Sequence, residues 1–99
     1  MSKLERDFQS DLIDELNEIY PEKKGNFITK FEPRQGVPDI LILHDNKWAL
    51  LECKKSKDEP RQPNQDFYVE KFNNMSFSRF IYPENKKEVL DELQSALSP

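Results

Sequence analysis

The stretch from Gly36 to Lys54, GVPDILILHDNKWALLECK, limits what this chain can fold into more than any other part of it. Two apolar runs, Ile40 to Leu43 and Trp48 to Leu51, flank the turn-like His44-Asp45-Asn46-Lys47, which predicts a β-hairpin of two buried strands. An acid stands at the open end of each run, Asp39 before the first and Glu52 after the second. Antiparallel pairing sets the start of one strand beside the end of the other, so the two carboxylates are expected to meet at one edge. Alternation along the strand then places Glu52 and Lys54 on one face and Cys53 on the other.

Carboxylates brought together repel each other, and a hard divalent cation that takes oxygen ligands relieves the repulsion; Mg²⁺ is the common cellular choice, with Mn²⁺ a substitute. A lysine beside such an ion can hold a water or a phosphate oxygen. The residue set therefore points to hydrolysis of a phosphodiester.

Pro38-Asp39, twelve intervening residues and Glu52-Cys53-Lys54 resemble the PD-(D/E)XK signature of the restriction-endonuclease-like nucleases, with Gly36 placed as in its GxPD form. An early glutamate and a glutamine-bearing helix after the lysine add to the likeness. Nearly the whole chain resembles the small VRR-Nuc proteins and phage or archaeal Holliday junction resolvases. That resemblance implies an α/β fold in the order α-β-β-β-α-β-α, with a central mixed sheet of about four strands flanked by helices, as one domain over residues 1–99. It implies catalytic roles for Glu5, Asp39, Glu52, Lys54 and Gln65. Glu5, Asp39, Glu52 and the Cys53 backbone carbonyl would hold Mg²⁺, and Lys54 would orient or activate the attacking water. It also implies a DNA substrate, branched DNA first, and a homodimer that places two sites on one junction.

Along the chain, Leu4, Phe8, Leu12, Ile13, Leu16 and Ile19 recur at the spacing of an amphipathic helix over Lys3 to Ile19, with Ser2 able to cap it and Tyr20-Pro21 ending it. Glu5 borders the apolar stripe, where a glutamate serves either as a capping or solvated residue or, as the resemblance implies, in the site. Phe27 to Phe31 reads as an edge strand. Arg34 and Gln35 lie in the turn before Asp39, placed to grip a phosphate or simply solvated. Lys55 to Pro60 is a charged loop, a solvated connector or a basic flap; with Arg34 and Arg61, its Lys55 and Lys57 form a local basic rim for DNA.

Pro63 suits the first turn of the next helix, in which Gln62 and Gln65 share a face; Gln65 is the better match to the family's site glutamine. Met75 to Tyr82 reads as a fourth strand, with Arg79 as a second DNA contact or a rim residue. Glu84 to Leu97 reads as a closing amphipathic helix. His44 lies at the far hairpin tip and reads as a turn residue. Phe77, Phe80 and Tyr82 are more aromatic surface than one small core needs, and offer either core packing or an apolar dimer interface.

Ninety-nine residues suit one domain with a modest core. The net charge of −4 argues against a general nucleic-acid coat but is compatible with a nuclease whose acids bind metal. One cysteine in an apolar strand fits a core thiol and a reducing cytoplasm, which the resemblance implies to be that of a prokaryote or a phage-infected host. No apolar leader or spanning segment is present in the sequence, so a cytoplasmic protein is expected. The expected function is a metal-dependent DNA endonuclease selective for branched DNA. The alternatives are a non-catalytic DNA-binding or assembly module on the same fold and a small acidic interaction protein in which the acid and lysine pattern is coincidental.

Overall fold

The computed structural model describes residues 3–32 and 36–99. Helix α1 (Lys3–Ile19) leads through a single 3-10 turn at Glu22–Lys24 into strand β1 (Phe27–Lys30). The hairpin β2 (Ile40–His44) and β3 (Lys47–Cys53) follows, then α2 (Gln65–Met75), β4 (Phe77–Ile81) and α3 (Lys86–Leu97). The four strands form one mixed sheet in the order β1-β2-β3-β4, antiparallel except for the β3–β4 pair. That pair is parallel because α2 carries the chain back across the sheet between the two strands.

The sheet separates two apolar layers. Ile40, Ile42, Ala49, Leu51, Cys53, Phe77 and Ile81 join Leu12 and Leu16 of α1 and Val89, Leu90, Leu93 and Leu97 of α3 in the main core. Leu12, Leu16 and Leu93 are wholly buried, so truncating any of them to alanine is expected to cost about 2–5 kcal/mol. The other face meets α2 through Val69, Leu50 and the edge-to-face pair of Trp48 and Phe72. Leu4 departs from the expected stripe and is exposed, since the first turn of α1 borders the cleft described below rather than the core. Among the described residues no helix is long and apolar enough to cross a membrane.

Several boundaries differ from the sequence reading for local reasons. The hairpin turn shortens to Asp45-Asn46 because His44 and Lys47 pair across it, with Asp45 in the left-handed region at φ 55°. Helix α2 begins at Gln65, not around Pro63, because Asn64 sits at φ 72° and cannot continue a helix backward. It then runs through Met75, and the Ser76 N–H closes its last turn on Phe72 O, so β4 starts only at Phe77. Helix α3 begins at Lys86 instead of Glu84 because Asn85 shapes a turn, accepting the Tyr82 N–H and donating to Phe80 O. The cap expected from Ser2 lies outside the described residues.

Candidate active site

Antiparallel pairing of Ile40 with Leu51 brings Asp39 and Glu52 to the same end of the sheet. The main chain locks this end: Phe31 N–H donates to Asp39 O at 2.8 Å, and Cys53 N–H donates to Asp39 Oδ1 at 3.4 Å. Gly36 governs the approach to Asp39. Its φ of 84° lies in the left-handed region, and a Cβ there would stand 2.7 Å from Asn64 Cβ and 3.0 Å from Tyr68 Cδ2. Glycine thus allows the loop before Asp39 to press against the start of α2.

A cleft of about 590 Å³ opens at this end, lined among others by Glu5, Gln9, Asp39, Glu52, Lys54, Glu59 and Gln65. Of the residues expected in the site, Glu5, Asp39, Glu52, Lys54 and Gln65 all reach it. Cys53 turns its side chain into the core, where it is wholly buried as a free thiol whose pKa burial pushes well up. Its N–H faces Asp39, and in an extended strand the carbonyl of the same residue points to the same side. Gln65 is buried and bridges two elements: its Oε1 accepts the Gln62 N–H at 2.7 Å and its Nε2 donates to Glu52 Oε2 at 3.3 Å. Gln62 lines the cleft as well, but Gln65 makes the contact to the acid.

Two residues in the cleft were missed by sequence reasoning. Gln9, one helical turn after Glu5, donates from Nε2 to Asp39 Oδ2 at 2.7 Å; the i, i+4 spacing of Glu5 and Gln9 was the available signal. Glu59, from the charged loop, places Oε2 3.4 Å from Lys54 Nζ. The side chains of Lys54 and Glu59 are 6% and 14% exposed, so this loop is folded over the site and is not a solvated connector along its whole length.

The electrostatics follow from burial. Desolvation pushes Asp39 up to about 6, against the Cys53 N–H and Gln9 amide that favour its charged form. Desolvation, reinforced by the Asp39 charge and opposed by Lys54, pushes Glu52 up to about 8. Glu5 rises to about 7 through desolvation and then its hydrogen bond and repulsion with Glu59, again opposed by Lys54. Burial and mutual repulsion thus raise all three carboxylates of the cleft above their ordinary range, Glu52 the furthest and Asp39 the least.

The donor set is all oxygen and suits a hard divalent ion. As the side chains lie, however, no group of three or more His, Cys, Asp and Glu among the described residues is arranged to hold a metal ion. The contacts of Glu52 with Gln65 and of Glu5 with Glu59 draw these carboxylates to other partners.

The basic rim is only partly legible. Arg34 lies outside the described residues. Lys55 and Lys57 are exposed on the loop. Arg61 is half-exposed, ion-paired with Asp66 and stacked 4.0 Å over the Phe80 ring. Arg79 bonds Asn73 and Glu92 and lies over Phe77, on the surface beside α3 and not in the cleft. His44 bonds Asn26 at 2.6 Å and packs on Tyr20, a structural role away from the acids. Of the three aromatics read as core or interface, Phe77 is in the core, while Phe80, beneath Arg61, and Tyr82 are half-buried. No protein-family model, curated protein or solved structure matches the chain.

Proposed function

We propose that the chain is a metal-dependent endodeoxyribonuclease of the PD-(D/E)XK type. The observation that carries this reading is the convergence of Glu5, Asp39, Glu52, Lys54 and Gln65 in one cleft, with all three acids pushed up toward neutral pH. A bound Mg²⁺ or Mn²⁺ would supply Lewis-acid stabilisation of the phosphate and the leaving oxygen. Asp39, Glu52, Glu5 and the Cys53 carbonyl are the residues that would hold it, after side-chain rotation frees Glu5 and Glu52. Gln9 and Gln65 orient the Asp39 and Glu52 carboxylates, as outer partners of metal ligands do. Lys54 orients the attacking water and stabilises negative charge on the phosphate. Lys55 and Lys57, exposed on the loop that carries Glu59, would supply phosphate contacts, with Arg34 and Arg61 the further candidates.

One cleft on so small a domain reaches one strand. A homodimer with two clefts related by a two-fold axis would span a branched substrate, which makes a Holliday-junction-resolvase-like activity the preferred form of the reading. The test is incubation with linear duplex, single-stranded, flap and four-way-junction DNAs with Mg²⁺ or Mn²⁺, alongside light scattering. Cleavage of the junction faster than linear duplex, by a dimer, is expected. Equal cutting of all forms by a monomer would leave a nuclease without the branched-DNA specificity.

The alternative is a non-catalytic DNA-binding or assembly module on this fold. The engagement of Lys54 by Glu59 and by Pro60 O, at 3.4 and 3.3 Å, is the observation that favours it. No heat on titration with millimolar Mg²⁺, and no cleavage of any DNA, would decide for that alternative.

A further inference from the structure

Lys54 lines the cleft but is only 5% exposed, and its ammonium is already engaged. The chain from Lys55 to Asn64 crosses from β3 to α2, and within it Glu59 Oε2 stands 3.4 Å from Lys54 Nζ while Pro60 O lies at 3.3 Å. A turn closed by Glu59 N–H on Ser56 O at 3.2 Å holds the acid inward, while Lys55 and Lys57 of the same loop are exposed. One short segment thus carries an inward anion and outward cations.

We propose that Glu59 is a substrate-displaced counter-ion of Lys54, which a nucleic-acid backbone replaces and a lone phosphate does not. The inference rests on the nuclease reading for the identity of the substrate. A carboxylate and a phosphate offer an ammonium the same anionic oxygens, and here the loop's carboxylate already engages it. A single phosphate must compete with a tethered carboxylate, which is present at high effective concentration. A polyanion meets Lys55 and Lys57 at the same time, so it binds the lifted loop better than the closed one and shifts the equilibrium by that difference. Glu59 thereby sets which anions reach Lys54.

The test uses the full chain as wild type, Glu59→Gln and, as a charge control, Glu70→Gln, which removes a carboxylate from an exposed position of α2. All measurements are made in EDTA, with the fold checked by circular dichroism. Acylation of each lysine by an N-hydroxysuccinimide ester is followed by mass spectrometry. Lys54 is expected to react about fivefold faster in Glu59→Gln, with exposed Lys23 and Lys87 unchanged. Anisotropy of a short fluorescein-labelled duplex is expected to show binding about three- to tenfold tighter in Glu59→Gln than in Glu70→Gln. Millimolar inorganic phosphate should protect Lys54 from acylation in Glu59→Gln and not in wild type. If Glu59→Gln fails to fold, Glu59→Asp, which withdraws the carboxylate, should shift all three readouts in the same direction. An unchanged Lys54 rate, duplex binding no tighter than in the control, or equal phosphate protection in wild type overturns the proposal. None of these readouts depends on cleavage, so a wild type inactive with Mg²⁺ removes the nuclease reading without deciding this one.

Discussion

Gln9 Nε2 donates to Asp39 Oδ2 at 2.7 Å across thirty residues of sequence, and this bond ties α1 to the acid at the mouth of the hairpin. Gln9 is 2% exposed, so its amide meets the carboxylate largely out of solvent. Gln9→Leu keeps most of the bulk and removes the donor. It should weaken the metal dependence of cleavage by about 10–100-fold and lower apo stability at pH 8 by about 1–3 kcal/mol, because a buried carboxylate loses a partner. Cleavage measured against Mg²⁺ concentration checks the first and urea unfolding the second; an unshifted metal midpoint would show that Gln9 is only packing.

Asp39→Asn and Glu52→Gln each remove a charge with little change of volume. Cleavage should vanish in both. Apo stability at pH 8 should rise, since burial and mutual repulsion penalise both charges. A wild-type cleavage rate in either variant would sink the assignment of the site.

The three raised carboxylates also fix the sign of the pH dependence. Asp39 at about 6, Glu5 at about 7 and Glu52 at about 8 lie above the ordinary 3.8 for Asp and 4.5 for Glu. The folded chain therefore keeps protons that the unfolded chain has released, and stability falls as pH rises through that window. Glu5 is the least desolvated of the three, so Asp39 and Glu52 dominate. The apo Tm should drop by on the order of 5–10 °C between pH 5 and pH 8. If the cleft holds Mg²⁺ as proposed, millimolar Mg²⁺ should recover more of it at pH 8 than at pH 5, because only the ionised acids would bind the cation. A Tm that rises over the same range would contradict the burial of these acids.

The hairpin was legible because its signal is local: two apolar runs, a turn between them, and antiparallel geometry that obliges Asp39 and Glu52 to meet. Gln65 was legible only through resemblance, for on spacing alone it does not differ from Gln62; the structure separates them because Asn64, in the left-handed region, delays the helix to Gln65, whose side chain bonds both Gln62 N–H and Glu52. Glu59 was not legible at all. Its place depends on the path of a loop with no apolar anchor, and a glutamate among Lys55, Lys57 and Asp58 carries no pattern that marks it as buried. Arg61 was read as a DNA contact from its charge, but that charge is shared with Asp66 and the Phe80 ring.

Gly36 makes a backbone prediction. At φ 84°, with Asn64 Cβ 2.7 Å from where its own Cβ would lie, Gly36→Ala adds strain and a clash together. It should destabilise the fold by about 1–3 kcal/mol and reduce cleavage further than stability alone explains, because the loop that seats Asp39 must shift. Gly25→Ala is the control: its φ is 90° but nothing lies within 4 Å of an added Cβ. Equal loss of activity in the two at matched stability would remove the positioning role of Gly36.

Lys54→Ala separates chemistry from binding. Lys54 is 5% exposed and its ammonium faces the cleft acids and the inward carboxylate of Glu59. DNA affinity in EDTA should change by less than about threefold, since the lost phosphate contact is one among several and removing Lys54 also frees the loop it anchors. Turnover at saturating DNA with Mg²⁺ should fall by about 10²–10³-fold, the scale on which loss of a group that stabilises developing charge is felt. That division, a lowered rate with nearly constant affinity, marks an interaction made mainly in the transition state. Single-turnover cleavage and anisotropy on the same variant read the two halves separately. An equal loss in affinity with an unchanged rate at saturation would make Lys54 a binding residue and shift the reading toward the non-catalytic module.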